Sequence, residues 1–360
     1  MGEYSKLISE KRRAVPTPKD LVKDGNCVFG TFDKEFETMD LVSAKNPTRC
    51  PNFMNKSKLT LWEATEVHLK EGMLLAVVTD MALFGMTFNV FYDYRSKKVY
   101  SWTTNLKSKD TKIAPNLLNG SIAEATTENS HVKYINNFQN GEAHLEGYAD
   151  DKKDKIEYSF DLKRISLPCV ASIPFGKNRP LYSQKDFFKA TGTLTLNGEK
   201  MESDEDTCAV IDDHRGYYPR KMHYDWVTTL GKNDHNGEKI WLAFNLTRNQ
   251  SINQEDYNEN LIWFEGKTSI LPPVTFKKDI PTKDFKKEGK QVWHIKDEHG
   301  MVDITFKVDG INAMITHALV VMIDYYITFG TLEGYIMDED GNKYILDGSI
   351  GMGEDKSMLF

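Results

Sequence analysis

Alternation between apolar and polar residues recurs along the chain from about residue 58 onward. Residues 156–162 alternate at every position, and residues 87–94 and 143–148 do so over shorter stretches. A period of two is typical of a strand with one face in a core and the other toward solvent. Helical periodicity of useful length is scarce, so the pattern predicts an all-β protein.

Turn signals separate these apolar segments. An Asn-Gly or Asp-Gly pair between two apolar runs is the strongest short-range indication of a hairpin. Five pairs are expected to form turns: Asn140-Gly141, Asn197-Gly198, Asn236-Gly237, Asp309-Gly310 and Asp340-Gly341. Short strands with turns between them are typical of sandwiches and barrels.

The length of 360 residues is too great for one typical domain and suits two. Early prolines, among them Pro16 and Pro18, break any helix, and further prolines cluster near residues 165–190. We therefore expect an irregular N-terminal arm over residues 1–55, a first antiparallel β-barrel or sandwich lobe over 56–185 and a second over 186–360.

Composition and charge exclude several classes of protein. The net charge of −7 gives no basic footprint for nucleic acid. No apolar run is long enough to form a transmembrane segment, and no signal-peptide core is visible, so a cytoplasmic location is expected. The four cysteines form no CxxC motif and imply no disulfide framework. No cofactor or metal motif is present, and the oligomeric state stays open.

A dense polar segment follows the apolar residues 208–211 and is expected to lie at a strand end. Asp212, Asp213 and His214 could serve as acid and base near neutral pH. Adjacent strand residues point to opposite faces, so we expect one aspartate to face a pocket and the other to meet solvent or cap the turn. The alternative is a charged turn in which an aspartate pairs with Arg215 or Arg220.

Candidates also lie elsewhere in the chain. Glu259 and Asn260 precede the apolar residues 261–264, and either could point into the interior of its lobe. Asn245 lies inside an apolar strand and must find partners, as a structural bridge or as a pocket donor. Most tryptophans are expected in the core. The remaining ligand-binding candidates are Trp62, Arg215, Tyr217, Tyr218 and Trp226.

Several segments resemble an uncharacterised bacterial family related to carotenoid 1,2-hydratase (hydroxyneurosporene synthase) and other lipocalin-like proteins. The resemblance extends from about residue 55 to the end and is carried by residues 211–219, the segment around Trp226, residues 244–246, 258–260 and 334–354. It implies two calycin-type barrels packed together, with a pocket in or between them. In the wider group an acidic residue protonates an alkene or activates the substrate without a redox cofactor.

Carried over to this chain, the resemblance would make Asp212 or Asp213 the proton donor, assisted by His214 or Glu259. Tyr217, Tyr218 and Trp226 would shape the pocket.

The leading hypothesis is a cofactor-independent hydratase, cyclase or lyase acting on an apolar or partly apolar small molecule. A carboxylic acid in an apolar barrel should have a raised pKa and stay protonated. The first alternative is a non-catalytic protein that binds a lipid-like or aromatic small molecule. The second is a carbohydrate-active enzyme, which would need two carboxylates roughly 5–9 Å apart across an open cleft.

Overall fold

The structure is a computed structural model that describes residues 2–318 and 321–359. Strands make up 60% of the protein and helices 8%, which confirms the predicted all-β class. The chain divides into two compact units. We call residues 14–96 and 100–218 the barrel unit, and residues 1–13, 97–99 and 219–360 the half-barrel unit.

The strands numbered β1 to β16 belong mainly to the barrel unit. They are β1 (Val22–Lys23), β2 (Asn26–Cys27), β3 (Gly30–Phe32), β4 (Thr60–His68), β5 (Gly72–Asp80), β6 (Phe84–Asp93), β7 (Lys98–Lys107), β8 (Thr111–Lys112), β9 (Ser121–Thr126), β10 (Ser130–Asn137), β11 (Glu142–Asp150), β12 (Lys155–Arg164), β13 (Cys169–Gly176), β14 (Arg179–Leu196), β15 (Glu199–Glu202) and β16 (Cys208–Gly216). The main antiparallel sheet has the order β7-β6-β5-β4-β16-β14-β12-β11-β10-β9-β8.

This sheet curls until it is nearly a closed barrel. The Tyr134 hydroxyl on β10 donates to the Ala76 carbonyl on β5 over 2.6 Å, and the hydroxyls of Thr87 on β6 and Ser130 on β10 lie 2.9 Å apart. Alternate residues of each strand fill the interior, as β12 shows by burying every second residue from Ile156 onward. The predicted period-two pattern of that strand is confirmed.

The N-terminal arm is irregular, as predicted, but much of it packs as core. Phe32, Phe36 and Leu41 are buried in the hydrophobic core of the barrel unit, and β3 pairs with β13. Ile8 belongs to the core of the half-barrel unit. Burial of these apolar side chains holds a segment that has little regular secondary structure.

The half-barrel unit contains the remaining strands. They are β17 (Lys221–His235), β18 (Glu238–Arg248), β19 (Leu261–Phe264), β20 (Lys267–Ile270), β21 (Thr275–Lys278), β22 (Gln291–Lys296), β23 (Val302–Ala318), β24 (Val321–Met337), β25 (Lys343–Ile345) and β26 (Ile350–Leu359). Their antiparallel order is β20-β19-β18-β17-β26-β24-β23-β22-β21, with β25 paired to β24.

Helices are short. One α-helical turn, α1, spans Phe285–Glu288, and the 3₁₀ segments are Tyr4–Leu7, Glu10–Arg12, Leu41–Ser43, Asn52–Lys58, Ser108–Asp110, Phe138–Asn140 and Thr282–Asp284. Within residues 2–318 and 321–359, no helix is long and apolar enough to cross a membrane.

The structure corrects one predicted turn and divides the chain differently from the predicted lobes. Asn197-Gly198 has φ angles of 52° and 87°, as a primed hairpin turn requires. Asp309-Gly310, in contrast, lies inside the long strand β23, where the register with β24 shifts at a bulge. The compact units divide at residues 218/219, whereas the predicted boundary at 185/186 falls within β14.

Candidate functional site

The acidic segment singled out in the sequence lies within β16, not in the loop after it. This strand sits between β14 and β4, in the middle of the curled sheet. Asp213 and Arg215 point to the side that carries the hydrophobic core, together with Ile211. Asp212 and His214 point to the opposite side. Both aspartates are buried, so the expectation that one of them meets solvent is wrong.

On the side opposite the core, four polar side chains from two paired strands form what we call the outer cluster: Ser183, Lys185, Asp212 and His214. The register places Lys185 opposite Asp212 and Ser183 opposite His214. The Lys185 ammonium donates to Ser183 Oγ at 3.0 Å and contacts His214 Nε2 at 2.9 Å. It also lies 3.2 Å from Asp212 Oδ1.

The four side chains of the outer cluster lie within hydrogen-bond or ion-pair distance of one another. His214 Nε2 lies 2.9 Å from Ser183 Oγ and 3.3 Å from Asp212 Oδ1. The side chain of Lys185 is 1% exposed, whereas those of Asp212 and His214 are 10% and 19% exposed. The lysine is therefore enclosed, and the imidazole is the member that solvent reaches most easily.

On the core side, Glu63, Asn136, Asp213 and Arg215 form what we call the inner cluster. Arg215 donates two hydrogen bonds to Asp213, from Nε to Oδ1 at 2.7 Å and from a terminal nitrogen to Oδ2 at 2.8 Å. Glu63 lies opposite Asp213 in the register with β4, and Asn136 donates to Glu63 Oε1 at 2.7 Å. Bidentate pairing of this kind fixes the geometry of both ions.

Glu63 is an acid whose ionised form is disfavoured by its surroundings. Its burial, and then the negative charge of Asp213, raise its pKa to about 8. The second carboxyl oxygen of Glu63 and the amide oxygen of Asn136 have no hydrogen-bond partner within the described residues. A protonated acid in an apolar barrel was expected from the sequence, but its position on β4 was not.

The polar network continues away from Arg215. The Tyr182 hydroxyl donates to Gln184 at 2.6 Å, and the Gln184 amide donates to Asp186 at 2.8 Å. Arg164 forms ion pairs with Asp186 and with Glu35 from the N-terminal arm. Burial raises the pKa of Asp186 to about 7. The core side of the sheet therefore holds a chain of connected polar groups, joined by hydrogen bonds and ion pairs.

The comparison with protein families assigns the chain to one family. A family model described as a domain of unknown function, DUF2804, matches residues 12–360. The protein belongs to the DUF2804 family. This membership confirms the predicted resemblance to an uncharacterised family.

Two solved structures are similar to this DUF2804 protein. A kievitone hydratase from Nectria haematococca is 9% identical, and the match covers 84% of this chain and 88% of the hydratase with a TM-score of 0.47. An AttH protein from Nitrosomonas europaea is 10% identical, with 84% and 93% covered and a TM-score of 0.48. The comparison with curated proteins gives no match.

The predicted aromatic residues near the acidic segment of the DUF2804 chain make different contacts. Trp62 lies opposite His214 in the register, and its ring centroid is 5.8 Å from that of Phe88. The Tyr217 hydroxyl donates to the Leu41 carbonyl at 2.8 Å, which makes it a support for the N-terminal arm. Tyr218 packs edge-on against Phe175. Trp62 is thus the aromatic candidate placed beside the outer cluster.

The other predicted residues lie in the half-barrel unit and hold local structure. Trp226 donates to Asn245 Oδ1 at 2.5 Å, and the Asn245 amide donates to the Glu259 carbonyl at 2.8 Å. Asn260 accepts from the Thr247 backbone at 2.8 Å. Asn245 is therefore a structural bridge, one of the two roles left open for it. Glu259 and Asn260 are buried in their own unit.

A group of potential metal ligands in the half-barrel unit is already neutralised by a lysine. His223, Asp225 and Asp355 place their ligand atoms within 4.8 Å of one another. The ammonium of Lys278 pairs with Asp225 and lies 2.7 Å from Asp355 Oδ2. Because a cation of the protein stands among these carboxylates, they would have to release Lys278 before they could hold a metal ion.

Two surface clefts lie away from the predicted residues. A cleft of about 560 Å³ in the barrel unit is lined by residues such as His144, Asp161 and Lys189. One of about 410 Å³ in the half-barrel unit is lined by residues such as Arg248 and Lys296. None of the predicted site residues lines either cleft.

Sequence reasoning missed Glu63, Ser183 and Lys185. Glu63 is a charged residue inside the otherwise strand-like residues 59–67, and Lys185 lies in a polar interruption of a long strand. A charge inside an apolar strand needs a buried partner, so both positions carried a signal. The partners could not be named, because pairing of β16 with β14 and β4 joins residues far apart in the chain.

Proposed function

We propose that this protein is a cofactor-independent acid–base enzyme of the hydratase, cyclase or lyase type, with the outer cluster as its catalytic group. The observation that carries this proposal is the convergence of Lys185, Asp212 and His214 on one another, with part of the imidazole exposed. An enclosed lysine supplies protons to a ring that solvent can reach, and such an arrangement suits proton transfer.

The contacts suggest how a proton would move. When Lys185 donates to Nε2 of His214, the other ring nitrogen carries the proton of the neutral imidazole. That proton can pass to a substrate carbon while Lys185 replaces it through Nε2. The Asp212 carboxylate beside both groups can then stabilise developing positive charge or take a proton from the attacking water.

The surroundings favour a substrate with an apolar body. Trp62 lies opposite His214, and Ala64 lies opposite Asp212 in the same register. Phe88 packs against the Trp62 ring on this face. Apolar walls with a few converging polar groups are typical of sites for small organic molecules.

The test is hydration of two soluble probes, prenol and 4-phenyl-3-buten-2-one, followed by mass spectrometry for the addition of one water. We expect His214→Asn and Asp212→Asn to lower the rate roughly 10²–10⁴-fold, the usual contribution of general acid–base groups. The matched control is His144→Asn. It removes another cross-strand histidine–aspartate pair of the barrel unit, His144 Nδ1 to Asp161 Oδ1 at 2.7 Å, that belongs to neither cluster.

Unchanged turnover in the His214 and Asp212 variants would contradict the proposal. Tight binding of a probe without any product would instead favour the binding-protein alternative.

A further inference from the structure

We propose that residues 311–318 of β23, which we call the free edge, pair antiparallel with the free edge of a second copy of this chain. The proposal concerns a surface that joins two copies of the chain, in the half-barrel unit and outside the outer cluster. It does not rest on the proposed function.

β23 has strand neighbours on both sides over only part of its length. Residues 303–308 lie between β22 and β24, whereas residues 310–318 pair with β24 alone. The change comes at the bulge between Val308 and Gly310, and bulges of this kind bend a strand and end its pairing. Within residues 2–318 and 321–359, no other strand joins the free edge. Its outward backbone N–H and C=O groups are therefore available to another strand.

The free edge lies in an uncharged part of the chain. Charged residues make up 28% of the whole sequence, but residues 310–323 include no Asp, Glu, Lys or Arg. Ile315 of the free edge and Met322 of the neighbouring strand leave 47% and 44% of their surface exposed. A long, uncharged edge beside exposed apolar side chains is a ready site for pairing with another strand.

The other edge strands of the half-barrel sheet are protected against such pairing. Within the described residues, β20, β21 and β25 each pair with one neighbour only. β20 and β21 are four residues long and β25 is three, and they contain lysine at Lys267, Lys277, Lys278 and Lys343. Short length and lysine are usual means by which an edge strand avoids pairing with other chains. The free edge has eight residues and neither protection.

An identical free edge is the partner that fits. Antiparallel pairing about a two-fold axis sets the same eight residues of both copies side by side, so each copy satisfies the other and no free edge remains. Centred on Met314, it places Ala313 opposite Ile315 and Asn312 opposite Thr316, which pairs like with like on each face. The chain has a net charge of −7, so two copies repel over much of their surfaces. The uncharged free edge is a place where they can approach.

The first measurement is the mass of the unsubstituted full-length chain in solution. Sedimentation velocity from about 1 to about 100 μM covers the range expected for an interface smaller than the standard size. We expect the weight-average mass to rise with concentration from that of one copy towards that of two. A chain that stays monomeric throughout, or that assembles beyond two copies, would overturn the proposal.

Amide hydrogen exchange locates the surface that the two copies use. Backbone groups that enter a new strand pair exchange more slowly. We expect peptides from the free edge to exchange roughly fivefold more slowly when about four-fifths of the chains are paired, and peptides covering β25 to be unchanged. Dimers in which the free edge exchanges as it does in the monomer use another surface, and this result would also overturn the proposal.

The variant Ile315→Lys/Thr316→Lys places cations on both faces of the free edge in each copy. Both side chains are exposed, and Asp324 lies opposite Ile315 on β24, so the fold tolerates lysine there. We expect the dissociation constant of the dimer to rise at least about tenfold, because like charges meet across the two-fold axis. The matched control Ile252→Lys/Ile345→Lys adds the same charge at exposed isoleucines of the same unit and should dimerise normally. Circular dichroism checks that both variants are folded, and equal dimerisation of all three proteins would contradict the assigned edge.

Discussion

The two faces of β16 carry adjacent carboxylates in opposite chemical settings. On one face, Asp212 shares the Lys185 ammonium with His214 and Ser183, and the imidazole keeps part of its surface exposed. On the other face, Asp213 accepts hydrogen bonds from two nitrogens of Arg215 and is fully buried. A carboxylate in a bidentate pair is fixed, whereas groups that share one ammonium can exchange protons. Residue type alone therefore does not distinguish an aspartate of a shared polar cluster from one fixed in a bidentate ion pair.

The same alternation occurs in the half-barrel unit. On β26, Glu354 and Lys356 face two tyrosine rings, and the intervening Asp355 faces the other way and pairs with Lys278. In both units, adjacent residues of one strand thus enter different sets of contacts. The alternation of side chains along a strand is sufficient to produce this separation.

The largest expected effect on stability comes from the inner cluster, where Asp213 pairs with Arg215. Arg215→Met leaves the buried Asp213 without its partner, and we expect a loss of about 3–5 kcal/mol in the free energy of unfolding. Urea denaturation followed by tryptophan fluorescence measures it. In the double variant Arg215→Met/Asp213→Leu, where neither charge remains, most of the loss should be recovered. A single variant as stable as the unsubstituted protein would show that the pair is not buried as described.

The next effect is a pH dependence that originates at Glu63. The folded state raises the pKa of this group from its usual 4.5 to about 8, so its contribution to stability is fully present below about pH 4.5 and is lost as the pH rises through about 8. Glu63→Gln cannot ionise. We expect the unsubstituted protein to lose a few kcal/mol relative to this variant between about pH 5 and 9.

Urea denaturation at several pH values gives both stability curves. Asp186, whose pKa is also raised, is present in both proteins, so its contribution cancels in the difference. Parallel curves across the range would show that Glu63 ionises normally in the folded state.

The smallest expected effect on stability comes from a substitution in the outer cluster. Asp212→Asn keeps an oxygen beside Lys185, and His214 and Ser183 continue to accept from the lysine. We expect a loss of about 1.5–3 kcal/mol in the free energy of unfolding, the usual size for a hydrogen bond to a charged group, because Lys185 loses its carboxylate but keeps His214 and Ser183. Thermal unfolding monitored by circular dichroism checks this. A loss as large as that of Arg215→Met would mean that the two faces do not differ in the way described.

The sequence alone determined the class of fold and the position of the acidic strand. Period-two alternation and Asn-Gly turns are local properties, and residues 156–162 and Asn197-Gly198 adopted the conformations that they predict. The opposite orientations of Asp212 and Asp213 also followed from local geometry. The turn predicted at Asp309-Gly310 is wrong, because a turn-forming pair can also form a bulge when the residues on both sides continue one strand.

Only the tertiary structure decided which groups meet. Glu63 and Lys185 reach Asp213 and Asp212 through strand pairing across long stretches of the chain, and such pairing is not encoded in any local pattern. Burial, which raises the pKa of Glu63, depends on closure of the whole barrel. The sequence therefore located the acidic strand. The environment of each carboxylate, and with it the difference between a bidentate ion pair and a shared polar cluster, arises from the folded sheet.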